Sequence, residues 1–265
     1  MPSASLGDES HVMRLRNAPS VRMQEFRIIR GYPAVYLRGE NAVVISDNHL
    51  GAEFRLFREG FSFPGASMKQ AEEIAEICRM TGAKKVISLG DVKDSILYPP
   101  SEEYSSIQQF FRKLEDIKFI ICRGNHDSHL GEILEKIGAN ATISKEFSTE
   151  SSAFLHGNAM PSESLMKKRM IFIGHGHFSA KILGFERKAF ILSKPGEGIS
   201  LIYKKWDRRI RLLALPSFSR LVFGTDICSS RTSNIPLFRR HVFEVEGSAI
   251  FTTDGKKAGV VHRQV

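Results

Sequence analysis

Five times along this chain an apolar run passes directly into a short cluster of Asp, His, Asn and Gly: VVISDNHLG (43–51), VISLGDVKD (86–94), FIICRGNHD (119–127), AFLHGN (153–158) and IFIGHGH (171–177). Short apolar runs bounded by turn-forming residues read as buried strands. In an open α/β sheet the carboxyl ends of the strands share one edge, and ligand sites collect there. Five clusters far apart in sequence are therefore expected to converge at one place. Of the nine histidines, five lie in the clusters: His49, His126, His156, His175 and His177. A lone histidine behind a strand is more often an ordinary core or surface residue; five in one repeated arrangement point to a shared task.

Between the clusters, helical periodicity alternates with the strands. Strands are expected at 42–46, 84–89 and 118–122, and helices at 66–80, 102–115 and 128–137, the pattern of βαβ units stacked on a mostly parallel sheet. After about Ala139 the helix signals thin to one candidate at 162–169. Strand-like segments follow at 152–155, 170–173, 188–192, 199–204, 209–215, 242–246 and 249–253. The expected fold class is α/β, with 23–265 as a single domain, because no repeat, low-complexity tract or linker divides it. Residues 1–22 are polar and aperiodic and are expected to form a disordered extension outside the fold.

At 42 % hydrophobic and 25 % charged, the chain has an ordinary globular composition. It contains no apolar run of about 18 residues to span a membrane and no basic-then-apolar leader, so no membrane association and a cytoplasmic location are expected. Cys78, Cys122 and Cys228 are odd in number and widely spaced. That spacing argues against a disulfide framework or a thiolate zinc site and for reduced thiols. The net charge of +9 favours polyanionic partners such as nucleic acid or phosphorylated metabolites.

Oxygen and imidazole donors without thiolate suit Mn, Fe, Zn, Co or Ni, and a carboxylate able to bridge suits a pair of ions. Asp47 and His49, two apart after a strand, project to the same side and can hold one ion together. His175 and His177 repeat that spacing and can each serve a different ion.

In their order, DNH, GDVKD, GNHD, HG and GHGH resemble the five signature blocks of the calcineurin-like metallophosphoesterases, over roughly residues 41–178. HLGAEFRLFREGFSFPGAS (49–67) and LLALPSFSRLVFGTDI (212–227) extend the resemblance, to about 35–254, towards the ICC-like archaeal and bacterial branch related to the Mre/SbcD nuclease subunits. The resemblance implies a four-layer α/β/β/α sandwich with mixed sheets and a site for two divalent ions. Mn²⁺ is the first expectation, with Fe, Zn, Ni, Co or Mg as alternatives. Asp47, His49, Asp91 and His177 would hold one ion, and Asp91, Asn125, His156 and His175 the other, with Asp91 bridging. His126 matches the histidine that contacts the scissile phosphate and serves the leaving oxygen, so His126 and Asp91 are the expected catalytic residues. A water activated between two cations would attack phosphorus in line without a covalent intermediate. Arg123 is expected to offset phosphoryl charge, Asp127 to orient His126, and Asp94 to brace the bridging segment; an ordinary loop salt bridge is the equal alternative for all three. The sequence departs from the family pattern at Asn48, Asn158 and Phe178, none of which is a ligand position.

The function expected is metal-dependent hydrolysis of phosphodiester bonds in nucleic acid or nucleotides. A small-molecule phosphomonoesterase on the same centre is the alternative, because the surrounding loops set specificity. A non-catalytic scaffold with this fold predicts gaps among the ligands, and none is present. The partners expected are a phosphate-ester substrate, with DNA or RNA among the candidates, and a second copy in a homodimer. YKKWDRRIR (203–211), turning at Asp207, suits either a phosphodiester grip or, by preference, a solvated hairpin with one packed tryptophan. FRLFREGF (54–61) is either a loop over the site with Arg55 and Arg58 near substrate or plain surface.

Overall fold

The computed structural model describes residues 26–262, apart from Leu183, Phe223 and 229–233; the extension expected at 1–22 lies outside the described residues. Two sheets pack face to face. The first runs in the order β1 (Phe26–Ile28), β2 (Val35–Leu37), β3 (Ala42–Ile45), β4 (Lys85–Ser88), β5 (Lys118–Cys122), β6 (Ala141–Ser144). Its first three strands pair antiparallel, and β3 to β6 pair parallel. Helices α1 (Ala52–Arg58), α2 (Ala66–Thr81), α3 (Ser101–Lys113) and α4 (Leu130–Lys136) belong to this half.

The second sheet contains β7 (Glu146–Ser148), β8 (Ser152–Leu155), β9 (Met170–Ile173), β10 (Phe178–Ile182), β11 (Phe185–Ser193), β12 (Arg211–Ala214), β13 (Thr225–Asp226), β14 (Ala249–Thr252) and β15 (Lys257–Val260). Its order is β13-β10-β11-β12-β9-β8-β7, with β14 joined to β11 and β15 to β14. The β12–β9, β9–β8 and β10–β13 pairs are parallel and the others antiparallel, so this sheet is mixed too. Short helices α5 (Gly198–Ile202) and α6 (Pro236–Arg239) lie over it.

Strand alternation sorts the side chains into three cores. Ala42 and Val44 of β3 meet Phe154, Phe172, Phe190 and Leu213 between the sheets, while Val43 and Ile45 turn outwards to α2, α3 and α4. On the second sheet Ile171, Ile173, Leu212 and Ala214 face away from the first and pack under α5 and α6. Successive residues of a strand point to opposite faces, so a strand apolar at every position is what burial on both sides requires. The architecture is the expected α/β/β/α sandwich with mixed sheets.

Three expected elements differ. The helix at 162–169 is only a 3₁₀ turn at Leu165–Lys167: Ser162 and Ser164 engage Glu146 and each other instead of starting a helix. The strand at 199–204 is α5; Ile199 and Tyr203 are buried four apart while Leu201 between them is 87 % exposed, which is helical period, not alternation. Segment 242–246 makes only an isolated bridge, Phe243 to Pro195. The turn at Asp207 is present, closed by Arg209 N–H to its carboxylate at 2.8 Å, but no hairpin surrounds it. Arg208 lies 4.5 Å over Trp206, which packs on the outer core. Residues 52–58 are helical. No described helix is long and apolar enough to cross a membrane.

Candidate metal centre

Each cluster begins where its strand ends: Asp47 and His49 after β3, Asp91 after β4, Asn125 and His126 after β5, His156 after β8, His175 and His177 after β9. The backbone turns sharply at these points. Asp47, His49, Asp91, His175 and His177 all have φ between 43 and 65°, five of the eight described non-glycine residues in the left-handed region. That conformation costs roughly 1–2 kcal/mol per residue and concentrates where a site over-determines the backbone. Parallel pairing continues past β3 and β4, with His49 N–H to Asp91 O at 2.9 Å and Leu50 N–H to Val92 O at 2.8 Å. Glycine is required beside it: a Cβ on Gly124 would lie 2.2 Å from Asp91 Oδ1, and one on Gly174 1.7 Å from Ser46 Oγ.

The seven residues expected as ligands form one cluster. His177 Nε2 lies 3.3 Å from Asp47 Oδ1 and 3.4 Å from His49 Nε2, and His49 Nε2 lies 3.9 Å from Asp91 Oδ2. On the other side His156 Nε2 lies 3.2 Å from Asp91 Oδ2, 3.1 Å from Asn125 Oδ1 and 3.1 Å from His175 Nδ1. Asp47, His49, Asp91 and His177 form one group that could hold a cation, and Asp91, His156 and His175 a second, with Asp91 common to both. Two donors each about 2.1 Å from one ion lie about 3.0–3.4 Å apart at tetrahedral or octahedral angles, so most of these spacings fit.

The hydrogen bonding favours the same fit. His156 Nδ1 is 2.7 Å from the carbonyl of Leu89, which can only accept, so Nδ1 carries the hydrogen and neutral His156 presents an Nε2 lone pair. That lone pair meets two oxygen acceptors with no proton between them. Either an added proton or a cation must fill the gap. Burial alone would lower the His156 pKa, but Asp91 and Asp47 outweigh it and push it up to about 9. Burial, then the charge of His156, takes His175 down to about 4. Burial would raise Asp47, yet His177, His156 and His49 hold its carboxyl well below the carboxylate range. At neutral pH the gap beside His156 Nε2 is therefore filled by a proton, whose place a bound cation would take.

The residues around them have divided roles. The buried carboxylate of Asp127 accepts the N–H groups of Asp91 (2.9 Å), Val92 (2.8 Å) and Gly124 (2.8 Å). It therefore supports the bridging segment and does not orient His126, whose Nδ1 donates instead to the carbonyl of Asp94 at 2.5 Å. The Asp94 side chain lies 3.3 Å from His49 Nδ1 and accepts from Arg55 Nε at 2.9 Å. Arg123 is exposed.

The sequence reading brought Arg55 near the site but not to Asp94, and it missed Ser46 and Lys188. Ser46 Oγ donates to Asp47 Oδ2 at 2.5 Å, and Arg55 pins Asp94. Lys188, on β11, donates to the carbonyls of Ser217 and Ser219 and holds the loop whose Phe218 and Ser219 N–H groups bond Ser46 O and Asp47 O. Only Arg55 carried a signal, lying in the short helix directly after the first cluster.

His49, His126 and His177 open on a cleft of about 800 Å³, flanked by Arg55 and Arg58.

Comparison with known proteins agrees. The sequence model of the calcineurin-like phosphoesterase family matches residues 41–223. Among solved structures, the Pseudomonas putida nuclease MPE is similar with a TM-score of 0.58 at 16 % identity, over 89 % of this chain and 99 % of that one. YfcE, a phosphoesterase from E. coli, aligns with a TM-score of 0.36 at 14 % identity, over 84 % and 99 %. No curated protein sequence matches. With the family match spanning all five clusters and the fold shared with a solved nuclease, the chain belongs to the calcineurin-like phosphoesterase family.

Proposed function

We propose that this chain hydrolyses phosphodiester bonds, in nucleic acid or nucleotides, with a pair of divalent ions held by Asp47, His49, Asp91 and His177 and by Asp91, Asn125, His156 and His175. The observation that carries the proposal is the shared carboxylate of Asp91 between two donor groups. Divalent cations bound there, Mn²⁺ first, supply Lewis acidity towards phosphoryl oxygens and lower the pKa of water. His126 has its Nδ1 hydrogen committed to Asp94 O, so Nε2 is the atom that carries a proton to the leaving oxygen. Arg55 holds the Asp94 carboxylate beside His49 Nδ1, and Asp127 fixes the backbone from which Asp91 projects.

The likeness to a nuclease and the net charge of +9 support a nucleic-acid diester over a small phosphomonoester. The proposal includes residues 23–265 working as one domain, in the cytoplasm, where Cys78, Cys122 and Cys228 stay free, and a homodimer as the assembly. The test is the initial rate on bis-p-nitrophenyl phosphate and on p-nitrophenyl phosphate with Mn²⁺ added after chelation, beside Asp91→Asn. Diester cleavage that needs metal and disappears in the variant is the expected result. A dominant monoester rate makes the chain a phosphatase, and no activity on either refutes the hydrolase reading.

A further inference from the structure

The loop after Asp94 is built in an unusual way. Lys93 is fully buried, and its ammonium donates to the carbonyls of Ser95 and Leu97. Glu103, also buried, accepts from the Ser95 N–H at 2.9 Å and its hydroxyl at 2.5 Å. Ser128 Oγ bonds the Ile96 carbonyl, and His126 bonds that of Asp94. Burying an ammonium and a carboxylate is costly unless each is fully bonded, and here the bonding of both goes into one turn of backbone.

What that turn presents to solvent is apolar. Ile96 is 58 %, Leu97 74 % and Tyr98 47 % exposed, side by side on the wall of the cleft that holds His49, His126 and His177. Arg55 and Arg58, one helical turn apart on α1, line the same cleft. Arg58 makes no hydrogen bond or ion pair among the described residues. A rigid apolar rim beside a catalytic cleft, with guanidinium groups within the same cleft, is complementary to a ligand that joins flat apolar groups to phosphates.

We propose that Ile96, Leu97 and Tyr98 form a platform for an unstacked base of a single polynucleotide strand, whose neighbouring phosphate is held by Arg55 and Arg58. The inference rests on the phosphodiesterase reading and narrows it: in a duplex the base faces are covered by their neighbours, whereas an unpaired strand offers them to aromatic and aliphatic side chains. The platform is a specificity element, not part of the chemistry.

The test uses the full chain with divalent ions chelated, so that nothing is cleaved. Fluorescence anisotropy compares an oligodeoxythymidylate of about 12 nucleotides, within the span of single-strand sites, with an abasic strand and a blunt duplex of equal length. The thymidylate is expected to bind about tenfold more tightly than either, as stacking of one base supplies. Leu97→Ser with Tyr98→Ser is expected to abolish the difference, and Leu201→Ser, exposed on α5 across the second sheet, to preserve it. Both variants change exposed residues, and equal melting temperatures to wild type verify their folding. Equal binding of the thymidylate and abasic strands, or a preference that survives in the double variant, overturns the platform. The same preparation assayed on bis-p-nitrophenyl phosphate with Mn²⁺ separates the two readings. Hydrolysis without base preference removes the platform alone, whereas base preference without hydrolysis removes the phosphodiesterase reading and leaves a strand-binding rim.

Discussion

Asp127 holds Asp91 through the backbone, not through the side chain: its carboxylate accepts the Asp91 N–H at 2.9 Å while Asp91 sits at φ 50°. The same carboxylate bonds Val92 and Gly124, so one buried group fixes two loops on neighbouring strands. Asp127→Asn replaces an acceptor oxygen by a donor facing an N–H, and charge-assisted bonds of this type contribute roughly 1.5–3 kcal/mol each. A loss of about 2–4 kcal/mol in urea unfolding of the chelated protein is expected, together with weaker metal uptake. Unchanged stability would sink this role.

The division of labour between His126 and Asp91 predicts different failures. Asp91 is common to both donor groups, so Asp91→Asn should lose metal and turnover together. His126 lies outside both, and His126→Ala should keep its metal content while diester turnover falls about 10²–10⁴-fold, the usual contribution of a positioned acid. Metal analysis after gel filtration, beside steady-state rates, distinguishes the two. Full activity in His126→Ala on an unactivated diester would contradict the assignment.

Lys188 predicts a pH dependence of stability. Burial, then the neighbouring charge of Arg220, takes its pKa down to about 8 from an ordinary 10.5. A lysine depressed in the folded state opposes folding when protonated, and that opposition is complete below pH 8 and vanishes as the unfolded chain also deprotonates. Stability relative to Lys188→Met should therefore rise between about pH 8 and 10.5, by on the order of 3 kcal/mol at about 1.4 kcal/mol per unit. Denaturant melts of the two proteins across that range supply the check; parallel curves would rule it out.

Thiol labelling should be uneven. Burial pushes Cys78 up to about 11 and Cys122 up to about 12, whereas Cys228 is partly exposed. Thiolate is the reacting form, so at pH 8 a disulfide reagent is expected to modify Cys228 rapidly and the other two only after denaturation. Rapid labelling of all three in the native protein would show that the sheet cores are looser than described.

The chain was legible where local pattern and global fold agree. Strands β3, β4, β5, β8 and β9 are apolar along most of their length because both faces are largely buried, and each ends just before residues that bear chemistry, so the convergence of Asp47, Asp91, Asn125, His156 and His175 could be foreseen. What escaped depends on tertiary context. GISLIY has the composition of a strand, and only the burial of Ile199 with Tyr203 makes it helical. Ser46 and Lys188 bear no periodic signal, since their partners are a carboxylate and carbonyls brought together only by packing. The role of Asp127 was misread for a related reason: it is adjacent to His126 in sequence, but its side chain turns towards the buried N–H groups of another loop.

His49 and His177 face each other at 3.4 Å yet stand 128 residues apart. At roughly 5–20 residues per second on the ribosome, the second histidine emerges on the order of 10 s after the first. Until then the first donor group has Asp47, His49 and Asp91 but lacks its fourth member. Under the proposed metal reading, a cation held by all four donors of that group is acquired only after the chain has been made through β9 and His177.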